Sequence, residues 1–101
     1  MDIMLKTFKE LGIKDDMCKM ILDKYSLSQL YSLEADIDNF KKIYNYLKNI
    51  GIKNVDELLY INIDLFTYSY NKFIQLLSEK NNLVMFVNRI NEEPESIFEL
   101  L

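Results

Sequence analysis

The apolar positions of this chain recur at spacings of three and four, the period of an α-helix buried along one face. Met4, Leu5, Phe8 and Leu11 form the first stripe, over residues 2–11, and Gly12 stands where a left-handed C-terminal cap belongs. Met17, Met20 and Ile21 mark a second helix over 14–24, which opens on Asp15 and Asp16, residues that complement the positive end of a helix dipole. Residues 26–32, with Leu27, Leu30 and Tyr31, read as a short helical turn.

The strongest signal follows. From Leu33 the positions Ile37, Phe40, Tyr44 and Leu47 alternate at spacings of four and three, widened by Ile43 and Ile50. They predict one long helix with Ser32 as N-cap and Gly51 as its end. Asn54-Val55-Asp56-Glu57 is arranged as a capping box, with an N-cap residue and a glutamate three positions on, and predicts a helix through Tyr60. Phe66, Tyr70, Phe73 and Leu77 predict an amphipathic helix to about Lys80, closed by a break at Asn81 and Asn82. Leu83, Val87 and Ile90 carry another, and Pro94 suits the first turn of a last short helix with Ile97, Phe98, Leu100 and Leu101. Tyr60 to Asp64 alternates apolar and polar residues but has no partner strand. The expected fold is all-α, a compact bundle or short helical-repeat array of roughly six to eight short helices.

Composition narrows the class. Half of the 101 residues are apolar or aromatic, which excludes a disordered chain. The length suits one domain around one core, residues 1–101. A single cysteine excludes an internal disulfide and points to a reducing compartment. The segment Met1 to Lys6 lacks the basic and apolar regions of a secretory signal, and no apolar run approaches the ~20 residues of a membrane span. A cytoplasmic protein is expected. The abundance of Ile, Asn, Lys and Tyr reads as the codon bias of an AT-rich bacterium or its phages.

Charge is unevenly placed. The formal net charge of −4 arises in the C-terminal segment 92–101, where Glu92, Glu93, Glu95 and Glu99 stand without a cation. A broad basic face of the kind that binds duplex DNA is not evident in these totals.

Catalytic and metal chemistry is poorly supplied. There is no histidine, which removes the commonest general base and metal ligand. Cys18, between Met17 and Met20, reads as a packed small apolar residue, although Lys14 and Lys19 are within reach. Glu34, Asp36 and Asp38 read as helix-start residues, because positions two apart diverge around a helix and make poor co-ligands. With two glycines there is no phosphate-cradling loop. No catalytic, metal-binding or cofactor-binding residue is assigned, and no cofactor is expected.

The aromatic residues divide. Phe40, Tyr44, Phe66, Tyr70 and Phe73 fall on core stripes, whereas Tyr46, Tyr60 and Tyr68 fall off them and are candidates for a partner-binding face, together with Glu92, Glu93 and Glu95. Lys41, Lys42, Lys48, Lys53 and Lys72 are the candidates for a nucleic-acid-binding strip, where exposed tyrosines would stack on bases.

The chain also repeats itself. Lys9-Glu10-Leu11-Gly12-Ile13-Lys14 and Lys48-Asn49-Ile50-Gly51-Ile52-Lys53 match at an offset of 39 residues, and Leu30-Tyr31-Ser32 is echoed by Leu65-Phe66-Thr67-Tyr68-Ser69. Units of 5–47 and 48–80 follow from this period. Their order of helix, glycine turn, short helix and long helix resembles the repeat of the mitochondrial transcription termination factor family (mTERF), which implies a curved helical array that binds nucleic acid. The stretch from Tyr46 to Leu58 is similar to the opening of the C-terminal domain of the bacterial RNA polymerase α subunit, which grips the DNA backbone. The first family's proline is missing from both units, and the second's hairpin glycine is missing from residues 68–72. No binding residue is carried over from either.

Three readings follow. The first is a non-enzymatic module that binds a protein partner as an adaptor or inhibitor, of which phage inhibitors of host defence such as anti-CRISPR proteins are an example. The second is a nucleic-acid-binding module. The third is a self-associating protein, a homodimer closed by Ile97, Phe98, Leu100 and Leu101 of the C-terminal segment. No membrane partner is expected.

Overall fold

The computed structural model describes residues 2–80 and 82–100. The elements in chain order are α1 (Asp2–Glu10), α2 (Asp15–Lys24), α3 (Leu27–Ala35), α4 (Ile37–Asn49) and α5 (Val55–Ile61). A 3-10 helix (Ile63–Thr67), α6 (Tyr70–Lys80), α7 (Leu83–Glu92), a 3-10 turn (Pro94–Ser96) and α8 (Ile97–Leu100) complete the chain. There is no strand among the described residues, so the fold is all-α. No helix is long and apolar enough to cross a membrane among those residues.

One hydrophobic cluster runs from Met4 to Ile97. Phe40 of α4 is its centre. It meets Phe8 of α1 edge-on at 6.0 Å between ring centroids, and Phe66 of the first 3-10 helix at 5.7 Å. Tyr44, one turn along α4, adds a third edge contact at 6.1 Å. Such pairs add to the burial term because ring edges and faces carry opposite partial charge.

The two glycines are realised alike. Gly12 has φ +87° and Gly51 φ +114°, values in which a Cβ is strained. After α1 the Gly12 amide donates to the Lys9 carbonyl and the Ile13 amide to that of Phe8. After α4 the Gly51 amide donates to Lys48 and the Ile52 amide to Leu47. Both are Schellman turns, and in each the isoleucine after the glycine is buried with the residue whose carbonyl it bonds. The 39-residue echo in the sequence is therefore a shared way of turning a helix into the core.

Four local expectations are corrected. The long helix from Leu33 is broken at Asp36 (φ −135°, ψ 66°), so Leu33 belongs to α3. Asp36, not Ser32, is the N-cap of α4, its carboxylate accepting from the Asn39 amide at 3.4 Å. Periodicity does not register this break, because Leu33 and Ile37 remain four apart on one stripe; the bend lets α3 fold against α1 and the first 3-10 helix. The capping box falls elsewhere too. Asn54 makes no side-chain cap bond, whereas Ser26 and Gln29 form the reciprocal pair, at 3.2 Å and 3.0 Å.

The third correction is at Phe66, which lies in the 3-10 helix; α6 begins only at Tyr70. Asn39 of α4 holds this break together. Its Nδ2 donates to the Tyr68 carbonyl and its Oδ1 accepts from the Tyr70 amide at 2.8 Å. A backbone that leaves a helix must place these groups somewhere, and one carboxamide takes both. The fourth correction is Ile97, which is fully buried in the core and so is not free to close a dimer. Phe98 remains exposed; Leu101 and the side chain of Leu100 lie outside the described residues, as does Asn81 of the expected break, where Asn82 caps α7.

Candidate binding groove

Helix α4 forms one side of an open groove lined by lysine, asparagine and tyrosine side chains. Phe40, Ile43, Tyr44 and Leu47 bury one side of the helix. At 100° per residue that choice turns Lys41, Lys42, Asn45 and Asn49 to the opposite side. Opposite them, α6 buries Phe73 and Leu77 and leaves Tyr70 and Asn71 of its first turn facing α4. Tyr46 completes the lining of an open groove of about 520 Å³.

Tyr46 forms the wall rather than a free platform. It is half-buried, edge-on to Tyr70 at 6.1 Å and to Phe73 at 6.3 Å. Burial, and then the neighbouring Tyr70, pushes its phenol pKa up, so it stays a neutral donor. Lys41 reaches Glu10 of α1 at 3.6 Å, and Glu10 lines a second depression of about 560 Å³ together with Leu5, Lys6 and Lys9. Lys42 is exposed.

The other predicted residues scatter. Lys48 lies on the rim of α4, two turns beyond Lys41, outside the groove lining. Lys53 follows Gly51, and its amide donates to the Asn91 carboxamide of α7 at 2.9 Å. Lys72 is turned 100° from Asn71 around α6. Tyr60 binds α5 to α2: the Lys24 ammonium stands 4.2 Å over its ring, and its carbonyl accepts from Lys24 and from the Tyr25 hydroxyl. Tyr68 is half-buried at the entry to α6. Glu92, Glu93 and Glu95 are exposed around the turn after α7, and Glu99 is paired with Arg89. The structure therefore unites Tyr46 with Lys41 and Lys42 and places the remaining candidates elsewhere.

Asn45, Asn49, Tyr70 and Asn71 were missed. Asn45 and Asn49 were legible, standing four apart on the face opposite the core stripe. Tyr70 was assigned to the core because it shares the stripe of Phe73, yet it is half-buried and lines the groove. Leu83, expected in the core, is 39% exposed, and its neighbours Val84 and Met85 are exposed at 69% and 70%. With Ile50, Val87 and Asn88, Leu83 and Val84 border a small depression of about 180 Å³.

The groove lining holds no cysteine, aspartate or glutamate. Cys18 of α2 is buried outside the groove lining, its thiol donating to the Ile13 carbonyl at 3.5 Å. Burial, and then Asp15, pushes that thiol's pKa up, away from a nucleophilic thiolate. Among the described residues no three of His, Cys, Asp and Glu converge to hold a metal ion. Comparison with protein-family models, with curated proteins and with solved structures finds no match to this chain.

Proposed function

We propose that this chain is a non-enzymatic binding module that acts on a protein partner, as an adaptor or as an inhibitor of a larger complex. The α4–α6 groove carries the proposal. Its lining joins two tyrosines, three asparagines and two lysines on rigid helices. Tyrosine supplies amphipathic contact area at low entropic cost, and asparagine supplies adaptable hydrogen bonds, the pairing favoured at protein-binding surfaces. The chain has no histidine, and burial raises the pKa of its one thiol, so neither of the commonest activated nucleophile pairs, Ser-His and Cys-His, supports a catalytic reading.

A photo-cross-linking residue at position 45, compared with one at the exposed position 28 on α3, tests this. Cross-linking of one host protein from position 45 alone is the expected result. Equal cross-linking from both positions refutes the groove as the interface.

One observation favours a second reading. Two Schellman turns at one offset, each followed by two shorter helical elements and then a longer helix (α4 and α6), keep the nucleic-acid module of the mTERF-like or α-subunit-like kind in view. Anisotropy with duplex DNA, single-stranded DNA and RNA separates the two. Binding that survives physiological salt selects the second reading, and none at low salt removes it.

A further inference from the structure

We infer that the α4–α6 groove takes an extended, carboxylate-bearing peptide segment, its main chain laid along the amides of Asn45, Asn49 and Asn71 and an acidic side chain set on Lys42. This rests on the protein-binding reading and specifies what the partner offers.

The amides are the first argument. Asn39, Asn82 and Asn91 spend their carboxamides on this chain's own backbone, at Tyr68 and Tyr70, at Val84 and Met85, and at Gly51 and Lys53. Among the described residues no such bond occupies Asn45, Asn49 or Asn71, which all line the groove. A carboxamide donates and accepts at once, as a peptide group does. Three of them lining one groove, two on α4 and one on α6, match a main chain that has no helix or sheet of its own to satisfy it.

Charge is the second argument. Both charged groups that line the groove are cationic, and Glu10 already engages Lys41. Lys42 is left as the complement for a carboxylate. Geometry sets the length: Lys41 to Asn49 spans about 12 Å at 1.5 Å per residue, which an extended chain covers in about four residues.

The same facts weigh against a polynucleotide. A phosphate backbone needs a track of cations, and Lys48, Lys53 and Lys72 lie outside this lining. Bases need free aromatic faces, and Tyr46 and Tyr70 are packed edge-on against each other.

The test is amide chemical-shift mapping of the whole chain with three octapeptides and a deoxythymidine dodecamer. The octapeptides alternate alanine with glutamate, with glutamine or with lysine. The glutamate peptide is expected to shift the amide signals of Lys42, Asn45, Asn49 and Asn71. The glutamine and lysine peptides should bind at least about five-fold more weakly, and Lys42→Glu should weaken the glutamate peptide about ten-fold without moving the unfolding midpoint. Shifts on another face, equal binding of all three peptides, no shift at about 1 mM peptide, or tighter binding of the dodecamer at these signals would each overturn the inference. Cross-linking from position 45 that persists while the peptides fail sinks the extended-peptide inference and spares the protein-binding reading. Failure of both sinks both.

Discussion

Asn39→Ala is the substitution that most directly examines how the groove is built. Asn39 lies on α4, yet its carboxamide closes the break before α6 by bonding the Tyr68 carbonyl and the Tyr70 amide. Each net hydrogen bond is worth about 1 kcal/mol, and a polar group left unsatisfied costs more only where water cannot reach it. Asn39 is half-buried, so water repairs part of the loss. The expected destabilisation is therefore about 1–2 kcal/mol, which for a domain of this size lowers Tm by roughly 5–10 °C. Asn45→Ala is the control, because Asn45 is exposed on the same helix; its effect should stay within about 0.5 kcal/mol, apart from the small gain of alanine's helix propensity. Urea denaturation measures both. Hydrogen exchange supplies a local readout, since the Tyr70 amide should lose protection in Asn39→Ala well beyond the global loss of stability. Equal stability of the two variants, or an unchanged Tyr70 amide, would refute the idea that one carboxamide aligns α6 with α4.

Three further outcomes are expected. Gly12→Ala and Gly51→Ala both force a side chain into positive φ, but a Cβ at Gly12 meets nothing within 4 Å, whereas one at Gly51 meets Val87 Cγ1 at 3.3 Å. Gly12→Ala should cost about 1 kcal/mol and Gly51→Ala about 2 or more, and equal urea midpoints would contradict this. Burial against Phe40 and Phe66, with Asp56 adding to it, pushes the Tyr44 hydroxyl up to about 12. A raised folded-state pKa means its share of stability is complete below about pH 10, the value of an unfolded tyrosine, and is lost as pH rises toward 12. Guanidinium midpoints measured from pH 8 to 11 should fall less steeply in Tyr44→Phe, with Tyr25 and Tyr46, also raised by burial, leaving a residual slope; identical slopes would count against it. Cys18, buried with its pKa raised, should react with a disulfide reagent at pH 8 only as fast as the chain opens, and complete labelling of the native chain within seconds would show an exposed thiol instead.

The peptide's chemistry and the periodicity together determined much about this protein. The stripes of α1, α2, α4, α6 and α7 were legible, because burying one face of a helix requires apolar residues at spacings of three and four wherever the core lies, whereas α5 was read from a cap at Asn54 whose side-chain bond is not made. The glycine turns at Gly12 and Gly51 were legible for a local reason: only glycine takes those φ values without strain. What the pattern could not show was where a continuous stripe bends. Leu33 to Leu47 reads as one helix because the bend at Asp36 leaves the apolar spacing intact, and the Phe66 stripe hides the break at Tyr68 for the same reason.

Those breaks are chosen by tertiary contacts. Asn39, on a neighbouring helix and remote in sequence, satisfies the amide and carbonyl that a continuous α6 would have bonded itself. The groove depends on that choice. Lys41, Lys42, Asn45 and Asn49 follow from the helical period of α4, but Tyr70 and Asn71 join them only because α6 starts at Tyr70 and lies against α4. Lys53, Lys72, Tyr60 and Tyr68 look equivalent to the groove residues in composition and are sent elsewhere by the same packing. A face along one helix is a property of spacing; a site between two helices is a property of how the core is filled.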